Sequence, residues 1–186
     1  GRALLEMGTT KRDFVDLNMT IARKTGGMEV DTLFLTHASS RNPVSRLILS
    51  GKASPEKTDE LFGLMTEVLV DARLDQKERF SRMILEEKAR QEHAIVPSGH
   101  MVVATRLRSA MSGAGMLAEL TGGVSYLDFL RRLALRAETD WQAVLYDLEA
   151  LRRSVIHRAG LALNITATPE QRSDLEPLCR HLAGRI

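Results

Sequence analysis

The sequence predicts an α+β fold, a helix-rich unit packed on a mostly antiparallel sheet, and three observations carry that prediction. Apolar residues recur at three- and four-residue spacing behind repeated helix-start signals, which marks about seven or eight helices. Two stretches, 28–36 and 44–52, switch to a period of two around a turn-rich loop and read as an antiparallel hairpin. Aromatic residues are only 4% of the chain, so aliphatic side chains must fill the core.

Residues 2–7 read as the last turns of a helix, with Gly8 as its C-terminal cap. A chain opening inside a helix is expected to be a piece of a longer one. Thr10 is expected to cap the next helix, with Asp13 three residues on in a capping-box arrangement. Phe14, Leu17 and Ile21 form its stripe, Arg23 and Lys24 suit its C-terminal dipole, and Gly26-Gly27 ends it. Met28–Thr36 follows as a strand with Val30, Thr32 and Phe34 on one face. His37–Pro43 is a turn-rich loop, and Val44–Lys52 is a second strand centred on Leu47-Ile48-Leu49.

Ser54-Pro55 is a helix start, and Leu61, Leu64, Met65, Val68 and Leu69 are the stripe behind it. Asp75 and Glu78 suggest a capping box for a long helix carrying Phe80, Met83, Ile84 and Leu85. Pro97 must break that helix, and Ser98 is placed to cap a successor that uses Met101, Val102, Leu107 and Met111. Gly113-Ala114-Gly115 reads as a hinge-like break before a short helix, 116–120, ended by Gly122-Gly123. Ser125 with Asp128 is expected to start the next helix, whose Tyr126, Phe129, Leu130 and Leu133 point inward. Thr139 and Gln142 suggest one more capping box, before Trp141, Leu145, Leu148, Leu151 and Val155 on a helix stopped by Gly160. Leu161, Leu163 and Ile165 alternate with Ala162, Asn164 and Thr166, so 161–167 is predicted as a third strand. Thr168-Pro169 with Gln171 opens a last helix holding Leu175, Leu178 and Leu182. No repeat divides the chain, and residues 1–186 read as a single unit. Three short strands are few for so many helices, so the strands that complete the sheet are expected outside these residues.

Composition excludes more than it assigns. Lys and Arg number 26 against 24 Asp and Glu, a net charge of +2 that argues for neither a nucleic-acid nor a membrane partner. The lone Cys179 cannot form an intrachain disulfide. No apolar run approaches the ~20 residues that span a bilayer.

The candidate chemistry is sparse. The histidines are His37, His93, His100, His157 and His181, and neither H-E-x-x-H nor H-x-x-E-H occurs. Glu92-His93 resembles the end of the inverse motif, but Ala89 stands where its first His belongs. His93 and His100 could approach each other across the Pro97 break, yet solvated or capping roles explain each histidine more simply. Cys179 lies near Leu175, Leu178 and Leu182 and reads as a buried structural thiol. There is no G-x-S-x-G elbow, and Ser98 and Ser125 already have capping positions. Gly51-Lys52-Ala53-Ser54 lacks the upstream glycine and the hydroxyl of a phosphate loop. Arg106, Arg108, Arg131, Arg132, Arg136, Arg152 and Arg153 are interspersed with acids and read as a solvated face. Asn164-Ile165-Thr166 fits the glycosylation pattern but falls in a strand predicted to be buried. The residues therefore indicate no catalytic, cofactor-binding or metal-binding position.

Several segments in fixed order nonetheless resemble a known family. They are Leu4-Leu5-Glu6-Met7-Gly8-Thr9, Phe14-Val15-Asp16-Leu17, Ile21-Ala22-Arg23-Lys24-Thr25-Gly26-Gly27, Leu69-Val70-Asp71-Ala72-Arg73-Leu74, Ser98-Gly99-His100 and Gly122-Gly123-Val124-Ser125-Tyr126-Leu127-Asp128-Phe129-Leu130. Together they are similar to the presequence protease and falcilysin-like branch of the pitrilysin-type inverted-zincin metallopeptidases. The resemblance implies a parent of four related α/β units in two halves that close around a peptide chamber, with zinc on H-x-x-E-H in the first unit. These segments match the third unit, in the C-terminal half, as an incomplete pitrilysin-type domain. No zinc or catalytic residue carries over, and Tyr126 sits on an amphipathic helix rather than at a substrate-holding position.

The resemblance thus implies a non-catalytic chamber-wall segment of a zinc metallo-oligopeptidase that degrades cleaved targeting peptides and other short unstructured peptides. It also implies a mitochondrial matrix or plastid stroma location, with zinc held by the parent and not by this segment. The expected partners are the remaining units of the parent and its peptide substrates, with self-association if the segment stands alone. A structural or interaction protein of the same fold, without peptidase activity, is the alternative. An intact H-x-x-E-H upstream distinguishes the two.

Overall fold

Asp13, not Thr10, starts the first long helix. Its carboxylate accepts the N–H of Asp16 at 2.8 Å while its own backbone stays extended, which is the geometry of an N-cap. In the computed structural model, which describes residues 1–36 and 43–186, the elements run as follows. Helices α1 (Ala3–Glu6) and α2 (Phe14–Lys24) precede strands β1 (Met28–Thr36) and β2 (Pro43–Gly51), then come α3 (Thr58–Val70), α4 (Lys77–Ile95), α5 (Gly99–Ser109), α6 (Gly113–Gly122), α7 (Val124–Thr139), α8 (Trp141–Val155) and α9 (Arg172–Arg185). The α+β, helix-rich class is borne out, and so are both hairpin strands to within a residue. Of the expected loop His37–Pro43, residues 37–42 lie outside the described residues.

The hairpin is antiparallel and its open end is closed by backbone. Gly26 N–H donates to Lys52 O at 2.7 Å, and Lys52 N–H donates to Gly27 O at 3.2 Å. It is the whole sheet among the described residues. The third predicted strand is therefore corrected. Residues 161–168 have no strand partner among the described residues, and Leu163 and Ile165 remain half-exposed. Alternation sets side chains on two faces, but a strand also needs a neighbour to take its N–H and C=O groups.

Other expectations fail locally for identifiable reasons. Asp75 does not cap α4, because it pairs with Arg73 at 3.2 Å; that bond holds the Asp75 carboxyl below its ordinary range. Ser98 sits at the start of α5 without a side-chain cap bond. Gly113-Ala114-Gly115 begins α6 rather than breaking it, since Ser112 Oγ accepts the N–H of Gly115 at 3.0 Å. Gly123, not Ser125, precedes α7, and Asp140, not Thr139, caps α8 by accepting from Ala143 N–H at 3.1 Å. Thr139 instead bonds back to Leu135 O within its own helix. Helix α8 ends at Val155, five residues before Gly160. The Thr168–Gln171 box is present, with Thr168 N–H donating to Gln171 Oε1 at 3.0 Å. Leu85, Met101, Leu107, Met111, Phe129, Leu151 and Val155 are exposed rather than inward. No described helix is long and apolar enough to cross a membrane.

The described chain groups into two compact units. The first is Gly1–Asp31, Leu47–Asp75 and Leu145–Ile186; the second is Thr32–Arg46 and Gln76–Val144. In the first, α3 packs against α1, α2 and α9. Its core is Leu4, Leu17, Ile21, Met28, Leu61, Leu64, Val68 and Ala72, the stripes read from the helical spacing. In the second, α4 packs on α7, and α6 packs on both α5 and α7. Phe80, Ile84, Leu127, Leu130, Ala137 and Val144 are buried there, and Phe80 tilts against Trp141 with ring centroids 5.5 Å apart.

Leu17 is fully buried while Val15, two residues earlier, is 60% exposed. Leu17→Ala should therefore lose about 2–5 kcal/mol of stability in urea unfolding, the range for a core truncation that leaves a cavity. Val15→Ala should stay within about 0.5 kcal/mol of the parent. Equal effects would show that the α2 stripe is wrongly placed.

Candidate functional site

Two buried carboxylates organise the polar interior, one in each unit. In the first unit Glu67 projects from α3 among Leu64 and Val68. Its Oε1 accepts from Thr9 Oγ1 at 2.5 Å, and its Oε2 pairs with the Arg12 guanidinium. Thr9 Oγ1 in turn accepts the N–H groups of Lys11, at 3.2 Å, and Arg12, at 3.0 Å, so its one donor and two acceptor positions are all used. Backbone bonds extend the knot. Thr9 bridges Ala72, Arg73 N–H donates to Gly8 O at 3.0 Å, and Thr10 N–H donates to Asp71 O at 3.0 Å. Gly8 has φ +73°, and a Cβ there would lie 2.9 Å from Arg12 O, so only glycine fits this turn. Beyond it, Arg152 donates to Ala72 O at 3.0 Å and pairs with Glu149 at 3.2 Å. Arg152 is thus a half-buried clamp and not part of a solvated face.

In the second unit Glu119, 3% exposed, lies on α6. Its Oε1 accepts from Arg106 Nη1 at 2.9 Å and from the Ser125 N–H and Oγ, each at 3.1 Å. Burial alone would push this carboxyl up, but the Ser125 N–H, Arg106 and the Ser125 hydroxyl together outweigh it and hold the acid below its ordinary range. Its Oε2 is buried without a hydrogen-bond partner among the described residues, and a Cβ at Gly123 would collide with that oxygen. Ser125 is therefore a carboxylate ligand rather than a helix cap.

Beside this cluster a small groove of about 130 Å³ runs along the second unit, lined by Ile95, Met101, Val102, Gly123, Val124 and Leu127 among others. It has the volume of a single apolar side chain and brings no nucleophile or base together. The histidines do not assemble either. His93, His100 and His181 are exposed on α4, α5 and α9, and His157 Nδ1 accepts the N–H of Gly160 at 3.1 Å as a local cap. His37 lies outside the described residues. No group of three or more His, Cys, Asp or Glu side chains that could hold a metal ion occurs among the described residues. The residues present thus do not fit the zinc ion that the resemblance implies for the parent. Cys179 is free and half-buried, less enclosed than expected, and Asn164 is exposed rather than buried.

Sequence reasoning passed over both Glu67 and Glu119. The available signals were an acid inside the Leu64–Val68 stripe and an acid four residues before Gly123. Because the Glu119 carboxyl titrates below its unfolded value of 4.5, its stabilising contribution is complete above that pH and is lost as pH falls through the lower folded value. The stability difference between wild type and Glu119→Gln should accordingly be largest near neutrality and shrink in acid. A difference independent of pH in denaturation at pH 7 and at pH 3 would remove Glu119 as the titrating group.

Comparison with known proteins agrees with the resemblance. The family model described as peptidase M16 (subfamily C) associated matches residues 1–133. The chain is 36% identical to presequence protease 1, chloroplastic/mitochondrial, of Arabidopsis thaliana over 94% of its own length and 16% of that protein's. It is 24% identical to Protein HypA of Clostridium perfringens over 96% of its length and 18% of that protein's. It is also 24% identical to the mitochondrial presequence protease of Xenopus tropicalis, over 79% of its length and 14% of that protein's. The chain spans about a sixth of the length of the curated relatives it matches, 16% in the plant case. The Arg-Lys-Thr-Gly-Gly segment at 23–27 and the Gly-Gly-Val-Ser-Tyr-Leu segment at 122–127, placed here at the end of α2 and the α6–α7 junction, carried the same assignment from the residues alone. With the family model covering residues 1–133 of 186, the chain belongs to the family of segments associated with subfamily C of the M16 peptidases.

Proposed function

We propose that this chain is a non-catalytic wall segment of a zinc peptidase that degrades cleaved targeting peptides and other short unstructured peptides. The observation that carries the reading is the 36% identity, over 94% of the chain, to a relative named as a chloroplastic and mitochondrial presequence protease. The dispersed histidines and the engaged carboxylates support a segment that encloses substrate and performs no bond chemistry. Zinc and the residues that activate water would then belong to another part of the parent, located in a mitochondrial matrix or plastid stroma. The contribution of this segment is geometric: a wall that excludes folded proteins and limits how an unfolded peptide lies.

The partners in this reading are the remaining units of the parent and the peptide itself. Exposed apolar side chains in the second unit, among them Val96, Leu107, Met111 and Met116, are the surface those units would cover. Left alone, such a surface invites self-association.

Two measurements test the proposal. The purified 186-residue chain should bind no stoichiometric zinc and should cleave no fluorogenic peptide, whereas the full open reading frame should cleave it in a chelator-sensitive manner. Chelator-sensitive cleavage by the chain alone would overturn the non-catalytic assignment. A full-length protein that holds no zinc and turns over no peptide would favour a structural protein of the same fold.

A further inference from the structure

Residues 161–168 are extended, uncharged and unpaired with any strand among the described residues. The segment is anchored at both ends. Before it, the 3-10 turn Arg158–Gly160 closes with Leu161 N–H donating to Arg158 O at 3.2 Å. After it, Thr168 N–H is taken by Gln171 Oε1 at 3.0 Å. Between these anchors the N–H groups of residues 162–167 donate to no group among the described residues. Leu161, Leu163, Ile165 and Ala167 fall on one face, and Ala162, Asn164, Thr166 and Thr168 on the other. A coil of this composition would normally carry Gly, Pro or charge; this one has a strand's composition and lacks only a neighbour.

We infer that residues 161–167 are a docking strand that adds to a β-strand supplied by a segment of the same polypeptide outside residues 1–186. The inference rests on the proposed membership of a longer peptidase. Three points favour a covalently linked partner. The relatives extend far beyond the matched stretch, which is 16% of the plant protein and 18% of the clostridial one. The Leu163 and Ile165 face, 44% and 41% exposed, is half-covered already and needs only a flanking apolar row to complete it. A seven-residue pairing with a second copy would bury far less than the roughly 1,200 Å² of a stable interface. A tethered strand meets no such demand, because its effective concentration reaches about the millimolar range.

Hydrogen exchange tests this on the full open reading frame and on the 186-residue chain in parallel. The amides of residues 162–167 should exchange quickly in the short chain and be slowed by about a hundredfold or more in the long one. Asn164→Pro should abolish that protection by removing a central donor, while Asn164→Ala should retain it. Should the proline variant fail to fold, the wild-type comparison still decides. Equally fast exchange in both proteins would overturn the inference. So would protection in the short chain that grows with its concentration, since a second copy would then be the neighbour. Peptide turnover is read separately. Protection without turnover would leave the docking strand standing and remove the peptidase reading, whereas turnover without protection would do the reverse.

Discussion

The first unit depends on one buried anion. Glu67 sits in the apolar stripe of α3, where an unpaired carboxylate would cost several kcal/mol. It is tolerated because Thr9 and Arg12 arrive from one tight turn. That turn exists only because Gly8 takes a positive φ and Asp13 restarts the helix. The requirement to satisfy one side chain thereby fixes how α1 and α2 meet α3. The antiparallel bridge from Thr9 to Ala72 then follows, because the turn is already held at that height along the helix.

The second unit repeats the device with different parts. Glu119 is held by Arg106 of α5 and Ser125 of α7, so one carboxylate joins three helices. The Arg106 side chain is largely exposed, which spares the pair the cost of hiding both charges. Gly123 is fixed by the same oxygen, since any larger residue would occupy its space. The glycine pair that the sequence presents as helix punctuation is thus also a contact surface for an acid.

What was legible in the sequence follows the range of the forces involved. The stripes Leu17-Ile21 and Leu61-Leu64-Val68 and the two hairpin strands were readable, because periodicity records which face is buried. The Arg158–Gly160 turn and the Thr168–Gln171 box are local too, yet only the second carries a recognisable spacing. Capping failed where a competing partner stood nearby: Arg73 for Asp75, Glu119 for Ser125, Leu135 O for Thr139. Those choices are made across turns or between helices, beyond the reach of a three-residue motif. The two organising glutamates needed contacts 58 and 6 residues away to be seen, and no local pattern around either one announces its partners.

Arg152 has a consequence for the order of assembly. Its guanidinium grips the Ala72 carbonyl across 80 positions of chain, and the stretch Gln76–Val144 of the second unit lies wholly within that interval. The first unit is consequently discontinuous, built from stretches on both sides of an insert. During synthesis its α3 must wait for α8 and α9 to emerge, while the insert already has all its parts. Closing so long a loop costs only about 0.6 kcal/mol more for each doubling of its length. That cost falls further if the insert has already folded and shortened the effective loop. The ribosome thus meets a nested molecule, whose interior segment is complete before the frame around it.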